Sequence, residues 1–99
     1  MPSQRVAWIG LGLIGLPMAA RLAAAGWDVR GHDIDRERLR LAGQRGIAPT
    51  PVLEDALAGA RFVFTSLPNE QVLVELAPRL AGDAIWIETS TVGPVRRLA

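Results

Sequence analysis

The chain has 99 residues, 49% of them hydrophobic and 21% charged, with a net charge of +1, and this composition is typical of one small globular domain. There is no run of about 18 uncharged apolar residues and no signal-peptide pattern at the start, so we expect a cytoplasmic protein that does not contact the membrane. There is no cysteine to form a disulfide framework, and the eleven arginines form no basic stripe with interleaved aromatics, which argues against nucleic acid as a partner.

Strands and helices are predicted to alternate along the chain. The hydrophobic run from Val6 to Ile9 is typical of a buried parallel strand. Apolar residues at spacings of three and four then predict a helix that ends at Gly26. The same patterns recur, and they predict strands at 6–9, 27–32, 46–48, 61–66 and 84–88, with helices at 14–25, 35–44, 51–57 and from 70 towards 79.

Three details of these helices can be predicted as well. The second helix should bury Leu39 and Ala42. The third should be capped by Thr50, with Pro51 at its first position. The fourth should bend or end near Pro78.

The alternation predicts an α/β fold, because parallel strands need crossover helices that cover both faces of the sheet. We expect a doubly wound parallel sheet with strand order 3-2-1-4-5, in a single domain over residues 1–99. No internal repeat or linker interrupts it.

Residues 10–15 read G-L-G-L-I-G, between the first strand and the first helix. In a Rossmann dinucleotide-binding unit, the first glycine allows the tight turn, the second lets the pyrophosphate approach, and the third lets the helix pack on the sheet. The N–H groups of Leu13 and Ile14 would then face a phosphate at the positive end of the helix. The alternative is a tight turn without a ligand, but the position between strand and helix favours the dinucleotide site.

Asp33 ends the second strand at about the spacing where such units carry the acidic residue that binds the adenosine ribose. Its carboxylate would accept hydrogen bonds from the ribose hydroxyls and repel a 2′-phosphate, which favours NAD over NADP. NADP stays open because Arg36 lies within reach of the same corner, and Asp33 could also be a merely solvated carboxylate. His32 is interpreted as a structural or adenine-side residue, because it lies at the wrong end of the cofactor for hydride transfer.

The segments 67–69 and 89–94 each follow the carboxyl end of a strand, where open α/β sheets bind their ligands. Hydroxyls and free amides there could hold a carboxamide or a substrate carboxylate. Ser90 and Thr91 could equally cap the next helix, and the two interpretations are compatible.

Three motifs together resemble the β-hydroxyacid dehydrogenases, a family that includes 3-hydroxyisobutyrate dehydrogenase, tartronate semialdehyde reductase and, more distantly, 6-phosphogluconate dehydrogenase. They are the glycine run that continues to Ala19, Leu67-Pro68, and the S-T-x-x-P run that begins at Ser90. They occur in the family's order and cover almost the whole chain. Imine reductases share the glycine run, but they commonly have Asn-Arg where this chain has Asp33-Ile34.

The resemblance implies an NAD(P)-dependent oxidoreductase that transfers a hydride to or from a small β-hydroxyacid, with a small carboxylate as its substrate. It implies cofactor contacts at Gly10, Gly12, Leu13, Ile14, Gly15, Asp33, Leu67, Pro68 and Thr91, and substrate contacts at Ser90 and Thr91. The chain departs from the family at Ile14, where Met is usual, at Arg21, where Asn is common, and at Glu88, where Asp is usual. Ile14 is apolar like Met, and Glu88 has the same charge as Asp, whereas nothing in the sequence explains Arg21.

Family members are much longer, and the remainder supplies a sixth strand and a helical domain with the catalytic lysine. This chain contains no lysine, and carbonyl reduction needs a general acid such as Lys, His or Tyr. We therefore expect no catalytic residue here and an inactive fragment. Without the sixth strand and the helical domain, one face of the sheet would be uncovered, and we expect self-association through that face. The apparent stop just inside a helix favours a fragment over a stand-alone NAD-binding or sensing module.

Overall fold

The structure of the protein is a computed structural model, which describes residues 4–67, 74, 77–80 and 84–89. Strands and helices alternate as the sequence predicts. The strands are β1 (Arg5–Ile9), β2 (Asp28–His32), β3 (Ala48–Pro49), β4 (Phe62–Thr65) and β5 (Ile85–Glu88). The helices are α1 (Gly15–Ala24), α2 (Arg36–Gln44) and α3 (Leu53–Leu57), followed by a short 3-10 helix at Ala77–Leu80.

The five strands form one parallel sheet in the order β3-β2-β1-β4-β5, so the predicted topology is confirmed. Ile9 at the end of β1 pairs with His32 on one side and Thr65 on the other, and Thr65 pairs with Glu88. The carboxyl ends of β1, β2, β4 and β5 therefore lie in one row at the same edge of the sheet.

A hydrophobic cluster lies on each face of the sheet. On one face, the side chains of β1 and β2 pack against α1 and α2, and this cluster contains the predicted Leu39 and Ala42. On the other face, Ala7, Ile9 and Val63 pack against α3. Because β1 lies in the middle of the sheet and is buried on both faces, its continuous apolar run needs no polar alternation.

Turn chemistry fixes the ends of α1 and α2. Gly26 has a φ of +101° just beyond α1, in the left-handed region that glycine enters at little cost. Asp35 caps α2, since its carboxylate accepts the N–H of Glu37 at 2.9 Å. These two turns lead the chain into and out of β2.

The predictions for the third strand and the third helix were wrong in their bounds. Ile47 is buried in the core, and the strand is Ala48–Pro49 rather than 46–48. Thr50 does not cap α3: its N–H donates to the Gly31 carbonyl at 2.8 Å and its hydroxyl to the Ala48 carbonyl at 3.0 Å. Because the bond to Gly31 prolongs the pairing of β3 with β2, α3 begins only at Leu53, after Val52.

The predicted fourth helix lies largely outside the described residues. Val74 is helical, and Pro78 lies within the 3-10 helix. Within the described ranges, none of the helices has the length and apolar character that crossing a bilayer requires.

Candidate functional site

Backbone hydrogen bonds hold the row of strand ends together. The Gly10 N–H donates to the His32 carbonyl at 2.9 Å, and the Ser66 N–H donates to the Ile9 carbonyl at 2.8 Å. The Thr89 N–H extends the row to β5 by donating to the Thr65 carbonyl at 2.8 Å. The loops that follow these strands therefore begin from fixed positions at the edge where α/β proteins bind their ligands.

The glycine loop, residues 10–15, turns from β1 into α1. Gly10 has a φ of +101°, and a Cβ there would lie 2.2 Å from the Ser66 carbonyl oxygen. A Cβ at Gly15 would lie 2.1 Å from the Gly10 carbonyl oxygen and 3.0 Å from Trp8 Nε1. The protein itself therefore requires glycine at both positions, because any side chain would collide with the neighbouring backbone.

Gly12 differs from the other two glycines. A Cβ there would meet no atom within 4 Å, and its φ is not positive. The folded chain thus places no restriction on this position. The space above Gly12 is the space that a phosphate group would occupy in a dinucleotide complex.

The backbone N–H groups beside this space have no acceptor. Among the described residues, no oxygen accepts a hydrogen bond from the N–H of Gly12, Leu13 or Ile14. The Leu13 side chain is 85% exposed and that of Ile14 is 55% exposed, so the segment faces outwards. Free N–H groups at the positive end of a ten-residue helix are suited to an anion.

Asp33 joins the loops after β1 and β2. Its Oδ2 accepts the N–H of Leu11 at 2.8 Å, and its Oδ1 accepts the N–H of Asp35 at 2.9 Å. The residue is half-buried, so it is not the freely solvated carboxylate that the sequence left open. An ionised carboxylate has about four acceptor sites, which leaves two for further donors.

His32 lies on the opposite side of β2 from Leu11 and forms a structural contact. Its Nδ1 lies 2.9 Å from the Thr50 carbonyl oxygen, and because a carbonyl only accepts, Nδ1 carries the proton. This bond ties the end of β2 to the segment that leads into α3.

An ion pair joins α3 to the 3-10 helix nearby. Arg79 Nε donates to a Glu54 carboxylate oxygen at 3.0 Å. The pKa of Glu54 lies below its ordinary value of 4.5, chiefly because of the Arg79 hydrogen bond, with a smaller contribution from the charge of His32. Both carboxylate and guanidinium are largely exposed, so the pair is screened by water.

A network of side chains ties β4 to β5 at the other end of the row. Thr65 is fully buried, and its hydroxyl accepts the Trp86 indole N–H at 2.9 Å and donates to the Glu88 carboxylate. The Thr65 carbonyl also accepts the Thr89 hydroxyl at 2.8 Å. Sequence analysis did not identify Thr65 or Trp86, because each looks like an ordinary strand residue until the strands are paired.

The structure brings most of the predicted site residues to one edge. The loop residues Gly10 to Gly15, Asp33 and Leu67 all lie there, and a Cβ on Gly10 would lie 3.3 Å from a terminal carbon of Leu67. Pro68, Ser90 and Thr91 lie outside the described residues. Within the described part of the chain, no three His, Cys, Asp or Glu side chains are grouped to hold a metal ion.

Comparison with known families identifies this arrangement. Residues 5–97 match the family described as the NAD binding domain of 6-phosphogluconate dehydrogenase. The chain belongs to this family. The match includes the glycine loop, Asp33 and the strand ends described above, and it confirms the resemblance drawn from the three motifs.

Individual relatives are similar over nearly the whole chain but are longer. The 3-sulfolactaldehyde reductase of Escherichia coli K12 is 32% identical over 98 residues, which are 92% of this chain and 33% of that protein. A probable 3-hydroxyisobutyrate dehydrogenase of Mycobacterium tuberculosis H37Rv is 36% identical over 93 residues, which are 88% of this chain and 31% of that protein. This NAD-binding domain thus spans about a third of the curated relatives that it matches.

Solved structures agree with the fold. The structure of M. tuberculosis 3-hydroxyisobutyrate dehydrogenase with L-serine superposes with a TM-score of 0.84 at 31% identity, covering 93% of this chain and 33% of that one. An imine reductase from a Pseudomonas species superposes with a TM-score of 0.81 at 20% identity, covering 93% and 34%. At 20% identity the second likeness concerns the fold alone.

Proposed function

We propose that this NAD-binding domain, residues 1–99, is the cofactor-binding unit of an oxidoreductase similar to 3-hydroxyisobutyrate dehydrogenase. The observation that carries the proposal is the set of unpartnered N–H groups at Gly12, Leu13 and Ile14 beside the open space above Gly12. Three free donors at a helix N-terminus match the charge and hydrogen-bonding needs of a pyrophosphate.

The described residues fit the pyrophosphate and the adenosine ribose of a nicotinamide dinucleotide. The N–H groups of the glycine loop would hold the pyrophosphate, and the two unused acceptor sites of Asp33 would hold the adenosine ribose. Bound NAD would supply the acceptor or donor of a hydride. We name two parts of this edge: the adenosine end, which comprises the glycine loop with Asp33, and the nicotinamide end, which comprises the carboxyl ends of β4 and β5.

At the nicotinamide end, the family resemblance assigns cofactor contacts to Leu67, Pro68 and Thr91 and substrate contacts to Ser90 and Thr91. The substrate that we propose for the whole protein is a small β-hydroxyacid or the corresponding aldehyde. The names of the relatives, 3-hydroxyisobutyrate dehydrogenase and 3-sulfolactaldehyde reductase, support small substrates of this class.

We expect NAD to be preferred to NADP, because the Asp33 carboxylate would repel a 2′-phosphate. Arg36, at the first position of α2, is a candidate for a compensating positive charge. Parallel calorimetric titrations with NAD and NADP test the preference. Equal or tighter binding of NADP would contradict it, and binding of neither would contradict the cofactor-binding role.

The chain alone is expected to bind the cofactor without turning over substrate. It contains no lysine, and His32, its only histidine, is bonded to the Thr50 carbonyl at the adenosine side. The test follows NADH with tartronate semialdehyde or succinic semialdehyde, and NAD with 3-hydroxyisobutyrate. Steady turnover by the pure chain would contradict the assignment of catalysis to another part of the protein.

The same chemistry leaves a second candidate, a non-catalytic NAD-binding or sensing module. The absence of a general acid favours it as much as it favours a cofactor unit. The two differ in the longer gene product: a cofactor unit requires catalytic sequence after Ala99, whereas a sensing module does not. Sequencing the source gene beyond this position decides between them.

A further inference from the structure

We propose that Asp33 is a positioning residue that holds the glycine loop in its anion-binding form, separately from any contact that it makes with ribose. The inference rests on the proposed function and deepens it. It starts from the two backbone hydrogen bonds of the carboxylate, to Leu11 at 2.8 Å and to Asp35 at 2.9 Å. These donors belong to different loops, so one side chain couples both.

Leu11 is fixed on two sides. Its side chain is fully buried, and both terminal methyl carbons lie 3.2 Å from the position that a Cβ on Gly31 would occupy. Its N–H is fixed by the carboxylate of Asp33. Charge-assisted hydrogen bonds of this kind are shorter and stronger than those between neutral groups, so Leu11 has little freedom to rotate.

The residue after Leu11 is Gly12, where the unpartnered N–H groups begin. The direction of those N–H groups is set by the backbone that leads into them, and Leu11 is the last residue of that backbone with a fixed side chain. Gly12 itself contributes no side chain to restrain the loop, and Leu13 is 85% exposed. The Asp33–Leu11 bond is therefore the restraint nearest to the free donors.

Asparagine cannot make both hydrogen bonds of this carboxylate. An amide side chain has one acceptor oxygen, so it can accept the N–H of Leu11 or that of Asp35 but not both, and its NH₂ group would face the other donor. The Asp33→Asn exchange would remove the repulsion of a 2′-phosphate, but it would also release the glycine loop. We therefore expect it to weaken the binding of phosphate-containing ligands in general rather than to convert the protein to NADP.

Two ligands separate the positioning role from a ribose contact. ADP offers the ribose hydroxyls and a diphosphate, whereas 2′,3′-dideoxy-ADP offers only the diphosphate and the base. If Asp33 positions the loop, D33N should weaken the binding of dideoxy-ADP by roughly tenfold, about the effect of one charge-assisted hydrogen bond. If Asp33 acts only through ribose, D33N should weaken ADP binding and leave dideoxy-ADP binding unchanged, and the proposal would be wrong.

Asp35→Asn is the matched control. It removes the same charge from the same corner, but Asn caps a helix as well as Asp does, and the Asp33 bonds stay in place. We expect D35N to change the affinity for dideoxy-ADP by less than about twofold, since only long-range charge is lost. A loss in D35N equal to that in D33N would show that charge rather than positioning is responsible, which overturns the proposal.

Amide hydrogen exchange in the ligand-free wild type gives a readout that needs no variant. The Leu11 N–H should exchange at least roughly tenfold more slowly than the exposed N–H of Leu13, and D33N should remove this protection. Similar exchange at both amides in the wild type would overturn the proposal, even if D33N failed to fold. If the wild type bound neither ADP, NAD nor NADP, the proposed function would fail, and exchange at Leu11 would still decide the positioning role.

Discussion

At the adenosine end, a carboxylate joins two loops by accepting backbone N–H groups; at the nicotinamide end, a buried hydroxyl joins two strands through side chains. Asp33 reaches its partners without involving their side chains. Thr65 depends on an indole and a second carboxylate, Trp86 and Glu88. A loop held by its backbone tolerates changes in the partner side chains, whereas the Thr65 network depends on the side chains of its partners.

The glycine loop also separates folding from binding within a few residues. Gly10 and Gly15 are required by contacts inside the protein, while Gly12 meets nothing there. The two ends and the two kinds of glycine thus give variants whose effects on stability and on cofactor binding should differ. Two predictions test these contrasts, and a third, of smaller expected effect, concerns the exposed ion pair between Glu54 and Arg79.

Gly10→Ala should have the largest effect on stability. Its Cβ would lie 2.2 Å from the Ser66 carbonyl oxygen, at a φ of +101°, and we expect a loss of about 3 kcal/mol or more in the free energy of unfolding. Gly12→Ala is the matched control, because it meets no atom within 4 Å. G12A should unfold within about 0.5 kcal/mol of the wild type and still bind NAD at least roughly tenfold more weakly.

Urea unfolding and calorimetric titration with NAD measure the two quantities. A G12A variant that binds NAD like the wild type would show that the space above Gly12 is not used by the cofactor. A G10A variant as stable as the wild type would contradict the close approach of Gly10 to β4.

Thr65→Val should have an intermediate effect, confined to the nicotinamide end. Valine has the same shape without the hydroxyl, so the half-buried Trp86 indole N–H loses its acceptor and the Glu88 carboxylate loses a donor. We expect a loss of about 2 kcal/mol in the free energy of unfolding. Thr65→Ser keeps the hydroxyl and removes one methyl group, which should cost about 0.8 kcal/mol. ADP affinity should stay unchanged in both variants, because the Thr65 hydroxyl contacts residues of β5 and not the glycine loop.

Urea unfolding with ADP titration checks this separation. If T65V were as stable as T65S, the hydroxyl network would contribute nothing. Weaker ADP binding in T65V alone would mean that the two ends are coupled.

The ion pair between Glu54 and Arg79 should have the smallest effect. The pKa of Glu54 is lowered, chiefly by the Arg79 hydrogen bond, so its contribution to stability is present above the ordinary value of 4.5 and is lost as the pH falls through the lower folded-state pKa. Because the pair is exposed, Glu54→Gln should lower the melting temperature only slightly at pH 7. The difference from the wild type should vanish in acid and in high salt.

Glu37→Gln is a matched control on α2, where Glu37 accepts a hydrogen bond from Arg40 at 3.0 Å within one turn of helix. Thermal melts of both variants at several pH values provide the comparison. A difference between E54Q and the wild type that persisted in acid would contradict an electrostatic origin.

The strand order could be predicted because it depends on local patterns and on the handedness of crossover connections. The free N–H groups of the glycine loop could also be predicted, because they depend on the local G-x-G-x-x-G motif and its position directly after a strand. Thr50 was assigned to the wrong role because a threonine before a helix resembles a cap, and its pairing with Gly31 depends on where β3 meets β2. Such a choice between partners is settled by the assembled sheet.

The roles of Asp33 and Thr65 in joining loops and strands could be predicted only in part. Two aspartates two residues apart suggest a turn in which Asp33 accepts the N–H of Asp35, but nothing in the sequence points to Leu11. Thr65 and Glu88 become neighbours only when β4 pairs with β5. Hydrogen bonds between residues distant in the chain were therefore the part of the site that the sequence did not reveal.

The contrast among the three glycines bears on how such a chain evolves. Any lineage that keeps this fold must keep glycine at positions 10 and 15, whether or not it binds a cofactor, since substitution there is selected against through misfolding. Position 12 is free to drift as soon as nothing occupies the space above it. In descendants that have lost the cofactor, the middle glycine should therefore be the first of the three to be replaced.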